Sequence, residues 1–161
     1  MATTNDGPLV EVTGEAPVSL DGLDAVHALL EEFWAAANEV TTDQVDGRWR
    51  ALFDSAVGEI AGNIVRHAYQ GSAPTEHFQL TFACFPDRMQ ATLLDRGTPY
   101  VLIPASGIPD MRAALENMDL DHGWGLPIAH AASDDLDYTR QPNGDNRWVI
   151  TKRFAEPGSA G

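Results

Sequence analysis

A single cysteine, few basic residues and no long apolar run define what this 161-residue chain does without. Cys84 stands alone, so it cannot close an internal disulfide, and no metal-ligand spacing surrounds it. A reducing compartment is the expectation. Ten bases face 24 acids, a net charge of −14. Nucleic-acid affinity rests mainly on Lys and Arg displacing counterions, so DNA and RNA are not expected as direct partners. An acidic protein can still take a phosphate ligand where backbone amides or a metal ion supply the positive field. Nowhere do 18 apolar residues stand together, and Met1 to Pro8 lacks a basic cluster followed by an apolar run. Neither membrane insertion nor export is signalled, and a soluble cytoplasmic protein is expected.

The chain length suits one domain over residues 1–161, with a core from about 9 to 154 and frayed ends. Leu9 to Val12 reads as a short edge strand ended by Thr13-Gly14 and Pro17. Ser19 or Asp21 then caps a helix carrying Leu23, Val26, Leu30, Phe33 and Ala37 at helical spacing. After the polar break Thr41 to Gly47, a second helix is expected from Arg48 to about Tyr69, with Leu52, Ala56, Ile60, Ile64 and Ala68 in line. The period then changes to two. His77 to Phe85 and Met89 to Leu94 alternate as strands around Pro86-Asp87, an antiparallel hairpin whose inward face includes Cys84. A long proline-bearing connection follows from Tyr100 to His122, a length that usually belongs to a functional loop or to a disordered segment. A helix from Gly123 to about Ala132, a strand near Leu136 to Thr139, a turn at Pro142 to Asp145 and a strand from Arg147 to Phe154 complete the chain. This order predicts an α+β two-layer sandwich, with a mostly antiparallel sheet and the helices on one face.

Three separated features carry chemistry. On a helix of about 3.6 residues per turn, Glu59, Asn63 and His67 recur every four residues and form one polar line beside the apolar face. Alone, such a line is an ordinary solvated boundary, and His67 reads as structural. Asp95 follows Leu93-Leu94 and precedes Gly97, the usual place for an aspartate in a strand-end turn. Read functionally, it is a partly buried acceptor for an exocyclic amine such as that of adenine, with Gly97 leaving room for the ring. Gly123-Trp124-Gly125 opens a helix, where glycines let backbone amides approach an anion. With few cations near these motifs, a bound nucleotide phosphate requires a divalent ion. Mg²⁺ takes one or two protein oxygens: Asn63 supplies a neutral one, and Glu59 can act as general base.

Together, Glu59-x-x-x-Asn63-x-x-x-His67-Ala68-Tyr69, Asp95-Arg96-Gly97-x-Pro99 and Gly123-Trp124-Gly125-Leu126-x-Ile128 resemble the N, G1 and G2 boxes of the GHKL ATPase and kinase superfamily. Within it, the chain is most similar to the small anti-sigma-factor serine kinases of bacterial partner-switching systems, from about Ala16 to Phe154. Ser133-Asp134-Asp135-Leu136-Asp137-Tyr138 and Lys152-Arg153-Phe154 share in the likeness. The third box departs from the pattern, with Asp121-His122 in place of a longer glycine run and the bulky Trp124 between its glycines.

The resemblance implies an ATP pocket between helices and sheet. Asn63 would bind Mg²⁺, Asp95 the adenine amine and Gly97 the base; Gly123, Gly125 and Leu126 would wrap the phosphates under a lid of residues 99–122. It also implies a protein serine kinase that phosphorylates an anti-anti-sigma (STAS-type) partner, binds a sigma factor in the alternative state and forms a homodimer. Thr151 is a candidate adenine contact on the last strand. A different class of function remains compatible with the same motifs: a nucleotide-gated protein-binding switch without kinase turnover. The ATPase half of a two-component histidine kinase fits less well, since Leu20 to Asn38 lacks a long coiled-coil pattern.

Overall fold

The structure, a computed structural model, describes residues 7–41, 45–68, 76–97 and 125–154. Five strands form one antiparallel sheet: β1 (Val10–Pro17), β2 (His77–Cys84), β3 (Arg88–Asp95), β4 (Asp135–Arg140) and β5 (Asn146–Arg153). Their order across the sheet is β1-β2-β3-β5-β4. Three described helices, α1 (Leu20–Ala37), α2 (Gly47–Asn63) and α3 (Gly125–Ala132), accompany it. The fold is of the expected α+β class.

Alternation is clearest along β3 and most of β2, while β5 buries Trp148 through Thr151 in succession. Along β2, Phe78, Leu80, Phe82 and Cys84 are buried; along β3 the buried set is Met89, Ala91, Leu93 and Asp95. In a strand every second side chain shares a face, so Asp95 ends β3 pointing the same way as the core residues. The tight turn between these strands closes with Phe85 N–H donating to the Arg88 carbonyl at 2.8 Å. Cys84 is a free, buried thiol on the inward face, as its alternating run requires.

Strand β1 runs further than the sequence suggests, through Thr13-Gly14 as far as Pro17, and pairs with β2 along its whole length. Within it Gly14 lies beneath Leu29 of α1, where a Cβ would stand 2.9 Å from Leu29 Cδ1. Close approach governs the next turn too. A Cβ on Gly22 would lie 1.9 Å from the Pro17 carbonyl oxygen, a contact only glycine allows.

Helix α1 buries Val26, Leu30, Phe33, Trp34 and Ala37 against the sheet, whereas Leu23 stays 37% exposed at the rim. Ser19 occupies the N-cap position with extended backbone but makes no side-chain capping bond. Helix α2 is capped instead by Asp46, whose carboxylate accepts from the Trp49 N–H at 2.8 Å. Its deepest stripe is Phe53, Ala56, Val57, Ile60, Ala61 and Ile64; Leu52, expected in that line, is only half-buried. Phe33, Trp34, Trp49 and Phe53 knit the two helices together, and Phe154 closes on Trp49 with ring centroids 5.3 Å apart.

The second helix does not run in α geometry to Tyr69. It ends at Asn63 and passes into a π-helical turn, Ile64–Ala68. A π turn holds more residues than an α turn, so the backbone of His67 no longer continues the four-residue line set by Glu59 and Asn63.

Candidate nucleotide site

Glu59 is half-buried in the penultimate turn of α2, and Asn63 is that helix's last residue, only 4% exposed. The spacing of four places both on one side of the helix. Asn63 carries the one buried side-chain polar atom without a hydrogen-bond partner among the described residues, its Nδ2. Leaving a buried polar group unpaired costs about 1–3 kcal/mol. In a native fold such a group calls for a specific account, such as strain, a catalytic role, a water or a bound ion. Rotating the carboxamide by half a turn exchanges its nitrogen and oxygen, so the same position can present a donor or an oxygen ligand. The first turn of the neighbouring π helix is itself a common device at functional sites.

Asp95 is 2% exposed and embedded in donors from β5 and from its own turn. Its Oδ1 accepts from the Gly97 N–H at 2.9 Å, which closes the strand-end turn, and from Asn146 Nδ2 at 2.7 Å. Its Oδ2 accepts from the indole Nε1 of Trp148 at 3.2 Å. A carboxylate offers about four acceptor positions, so one, on Oδ2, is left by the described residues. Gly97, buried just past β3, is held through its carbonyl by Arg140 at 2.9 Å and Asn146 at 3.2 Å.

Asn146 and Trp148 carry no motif signal in the sequence and were not among the expected site residues. They belong here because the β3–β5 register pairs Asp95 with Asn146 and Leu93 with Trp148. Only the strand order could reveal them. The same register removes Thr151 from the site: it pairs with Gln90, near the far end of the ladder, and accepts from Gln90 Nε2 at 3.2 Å.

Gly125 is the first residue of α3, and Leu126 lies within that helix's first turn. Helix α3 packs chiefly against α2, the helix bearing Glu59 and Asn63. Gly123, Trp124 and the expected lid of residues 99–122 lie outside the described residues, as does the side chain of Leu126. The backbone of His67 lies in the π turn, with its side chain likewise outside.

A cavity of about 280 Å³ touches Asp95 from the sheet's polar side, where Glu15, Glu76 and Asp145 accompany His77 and Arg96. Three carboxylates make it a poor berth for a polyphosphate, and Arg96 already lies 3.4 Å from Asp145. The Asp95 carboxylate itself is buried, on the face that β3 turns to the core. Among the described residues no group of His, Cys, Asp and Glu is arranged to hold a metal by itself. A site with one protein oxygen ligand completed by phosphates and water suits Mg²⁺.

A five-stranded antiparallel sheet, a helix line ending in Asn63, and Asp95-x-Gly97 at a central strand end are the frame of a GHKL-type ATP-binding domain. The family described as the histidine kinase-like ATPase domain matches residues 16–151, and the chain belongs to that family. Among solved structures, the chain is similar to the RsbU and RsbW domains of Rv1364c from Mycobacterium tuberculosis. The TM-score is 0.62 at 18% identity, covering 93% of this chain and 33% of that one. At this identity the likeness concerns the fold, and the chain spans about a third of the length of that relative. No curated protein matches the sequence.

Proposed function

We propose that this protein is an ATP- and Mg²⁺-dependent protein serine kinase that acts as an anti-sigma factor. It phosphorylates a STAS-type anti-anti-sigma partner and sequesters a sigma factor in the alternative state, as a homodimer in the cytoplasm. The observation that carries the reading is the buried Asn63, whose carboxamide Nδ2 has no partner among the described residues and which lies one turn from the half-buried Glu59. With its amide turned, Asn63 would offer a neutral oxygen ligand of the kind Mg²⁺ takes from a protein. Bound there, the ion neutralises triphosphate charge that this acidic chain cannot offset with its own cations.

Asp95 receives the adenine amine, Gly97 gives the ring room, and Gly123, Gly125 and Leu126 surround the phosphates. Glu59 takes the proton of the partner's serine hydroxyl. The serine oxygen then bonds to the γ-phosphorus as the bond from that phosphorus to the bridging oxygen breaks, leaving ADP and phosphoserine. General-base help of this kind contributes about 10²–10⁴-fold.

Incubation with γ-labelled ATP and a purified STAS-type protein tests the reading. Label on a partner serine is the expected result. A tight nucleotide-dependent complex with no transfer would replace the kinase by a nucleotide-gated binding switch.

A further inference from the structure

The hydrogen-bond order around Asp95 reaches beyond the aspartate itself. Asn146 uses its carboxamide fully. Its Nδ2 donates to Asp95 Oδ1 at 2.7 Å and to the Gly97 carbonyl at 3.2 Å. Its Oδ1 accepts from Tyr138 Oη at 2.5 Å and from Arg140 at 3.0 Å. These contacts match the two donors and two acceptors of an amide. They also fix its orientation, because arginine can only donate and a carboxylate or carbonyl can only accept. Tyr138, opposite Trp148 in the β4–β5 ladder, packs on the Trp148 ring with centroids 4.6 Å apart. One tyrosine thus steadies both side chains that grip Asp95.

We propose that Asn146 and Trp148 are positioning residues that set base specificity, by leaving the Asp95 carboxylate a single open acceptor position on Oδ2. The inference rests on the reading that Asp95 receives the base. An unencumbered carboxylate can accept two parallel donors, one on each oxygen, and guanine offers such a pair in its ring N–H and exocyclic amine. Here Oδ1 already accepts from Gly97 N–H and Asn146. A guanine at this place would leave one donor buried and unpaired, a loss that sites built on hydrogen bonding turn into strong rejection. Adenine needs only one acceptor for its amine. Trp148, donating from the indole edge, holds Oδ2 so that its remaining lone pair stays in one direction.

The test is equilibrium binding of ATP and of GTP, each with Mg²⁺, to the wild-type protein, to Asn146→Ala and to Tyr138→Phe, with the folded fraction of each variant read by circular dichroism. Wild type is expected to prefer ATP. Asn146→Ala frees a position on Oδ1 and should narrow the ATP-to-GTP affinity ratio by about tenfold or more. Tyr138→Phe, which removes only the hydroxyl anchoring Asn146, should narrow it in the same direction by less. Should Asn146→Ala fail to fold, Tyr138→Phe decides alone. A folded variant that binds ATP with the wild-type ratio overturns the proposal. A wild-type protein that binds both nucleotides equally also overturns it, and Asp95→Ala then shows whether the base pocket itself is misplaced. A merely structural role for Asn146 would lower stability without moving the ratio.

Discussion

Asn146 Nδ2 lies 2.7 Å from Asp95 Oδ1, joining two residues that face each other at the end of the β3–β5 ladder. The contact makes Asp95 a structural acceptor as well as a candidate ligand-binding group. Asp95→Ala should therefore have two effects. Nucleotide binding should disappear in calorimetry. Stability should also fall by about 3 kcal/mol in urea titration, because the Gly97 N–H, Asn146 amide and Trp148 indole lose their buried acceptor. Unchanged ATP affinity in a folded variant would remove Asp95 from the site.

Asn63 predicts the opposite balance. Its Nδ2 is buried without a partner among the described residues, so Asn63→Leu removes an unpaired buried nitrogen and puts an apolar group of similar size in its place. The nucleotide-free protein should gain about 1 kcal/mol in thermal or urea denaturation. Mg²⁺-dependent ATP affinity should be lost. A marked fall in stability would show that the carboxamide serves the fold rather than a ligand.

Glu59 is half-buried on the same side of α2 as Asn63. Glu59→Gln keeps its shape and removes its basicity. Phosphoryl transfer to the partner serine should drop by about 10²–10⁴-fold while ATP affinity changes little. Full transfer by this variant would remove Glu59 from the role of base.

Asp54 offers a pH test that is independent of nucleotide. Burial pushes its carboxyl above the ordinary 3.8, against the hydrogen bond from Trp34 and the pull of Arg50. A raised folded-state value means that the contribution of this group to stability is fully present below about 3.8 and is lost as pH rises through the higher value. In Asp54→Asn the amide oxygen can still accept from the Trp34 indole, which now lies 2.7 Å from Asp54 Oδ1. The wild-type protein should therefore gain stability relative to Asp54→Asn between about pH 7 and pH 4. A difference that stays flat over that range would refute the shift.

Gly58 lies within α2 and is exposed, with no heavy atom within 4 Å of where its Cβ would be. Gly58→Ala should raise stability by about 0.5–1 kcal/mol, because alanine loses less backbone freedom in a helix. A loss of stability would mean that this face of α2 is covered in the native protein.

Much of the architecture was legible because burial imposes periodicity on a sequence. Alternation placed β2 and β3 within a residue or two, and the helical stripe placed Val26, Leu30, Phe33 and Ala37 in the core. Where local signals misled, a tertiary contact had overridden them. Thr13-Gly14 looks like a strand end, yet β1 continues through it, paired with β2 as far as Pro17. Leu23 fits the apolar stripe of α1, yet lies at its rim.

The sequence by itself determined the α+β class and the family, and in it the candidate site residues Glu59, Asn63, Asp95 and Gly97 stand out by type and spacing along single elements. Tertiary structure decided how Asp95 is held and which last-strand residues reach it. Asn146 and Trp148 lie 51 and 53 residues beyond Asp95, and Tyr138 reaches Asn146 from a third strand. Strand order and register bring them together, and both are fixed by the burial of whole faces rather than by any local motif. The π turn after Asn63 belongs to the same class of fact, since helical periodicity cannot mark where one extra residue enters a turn.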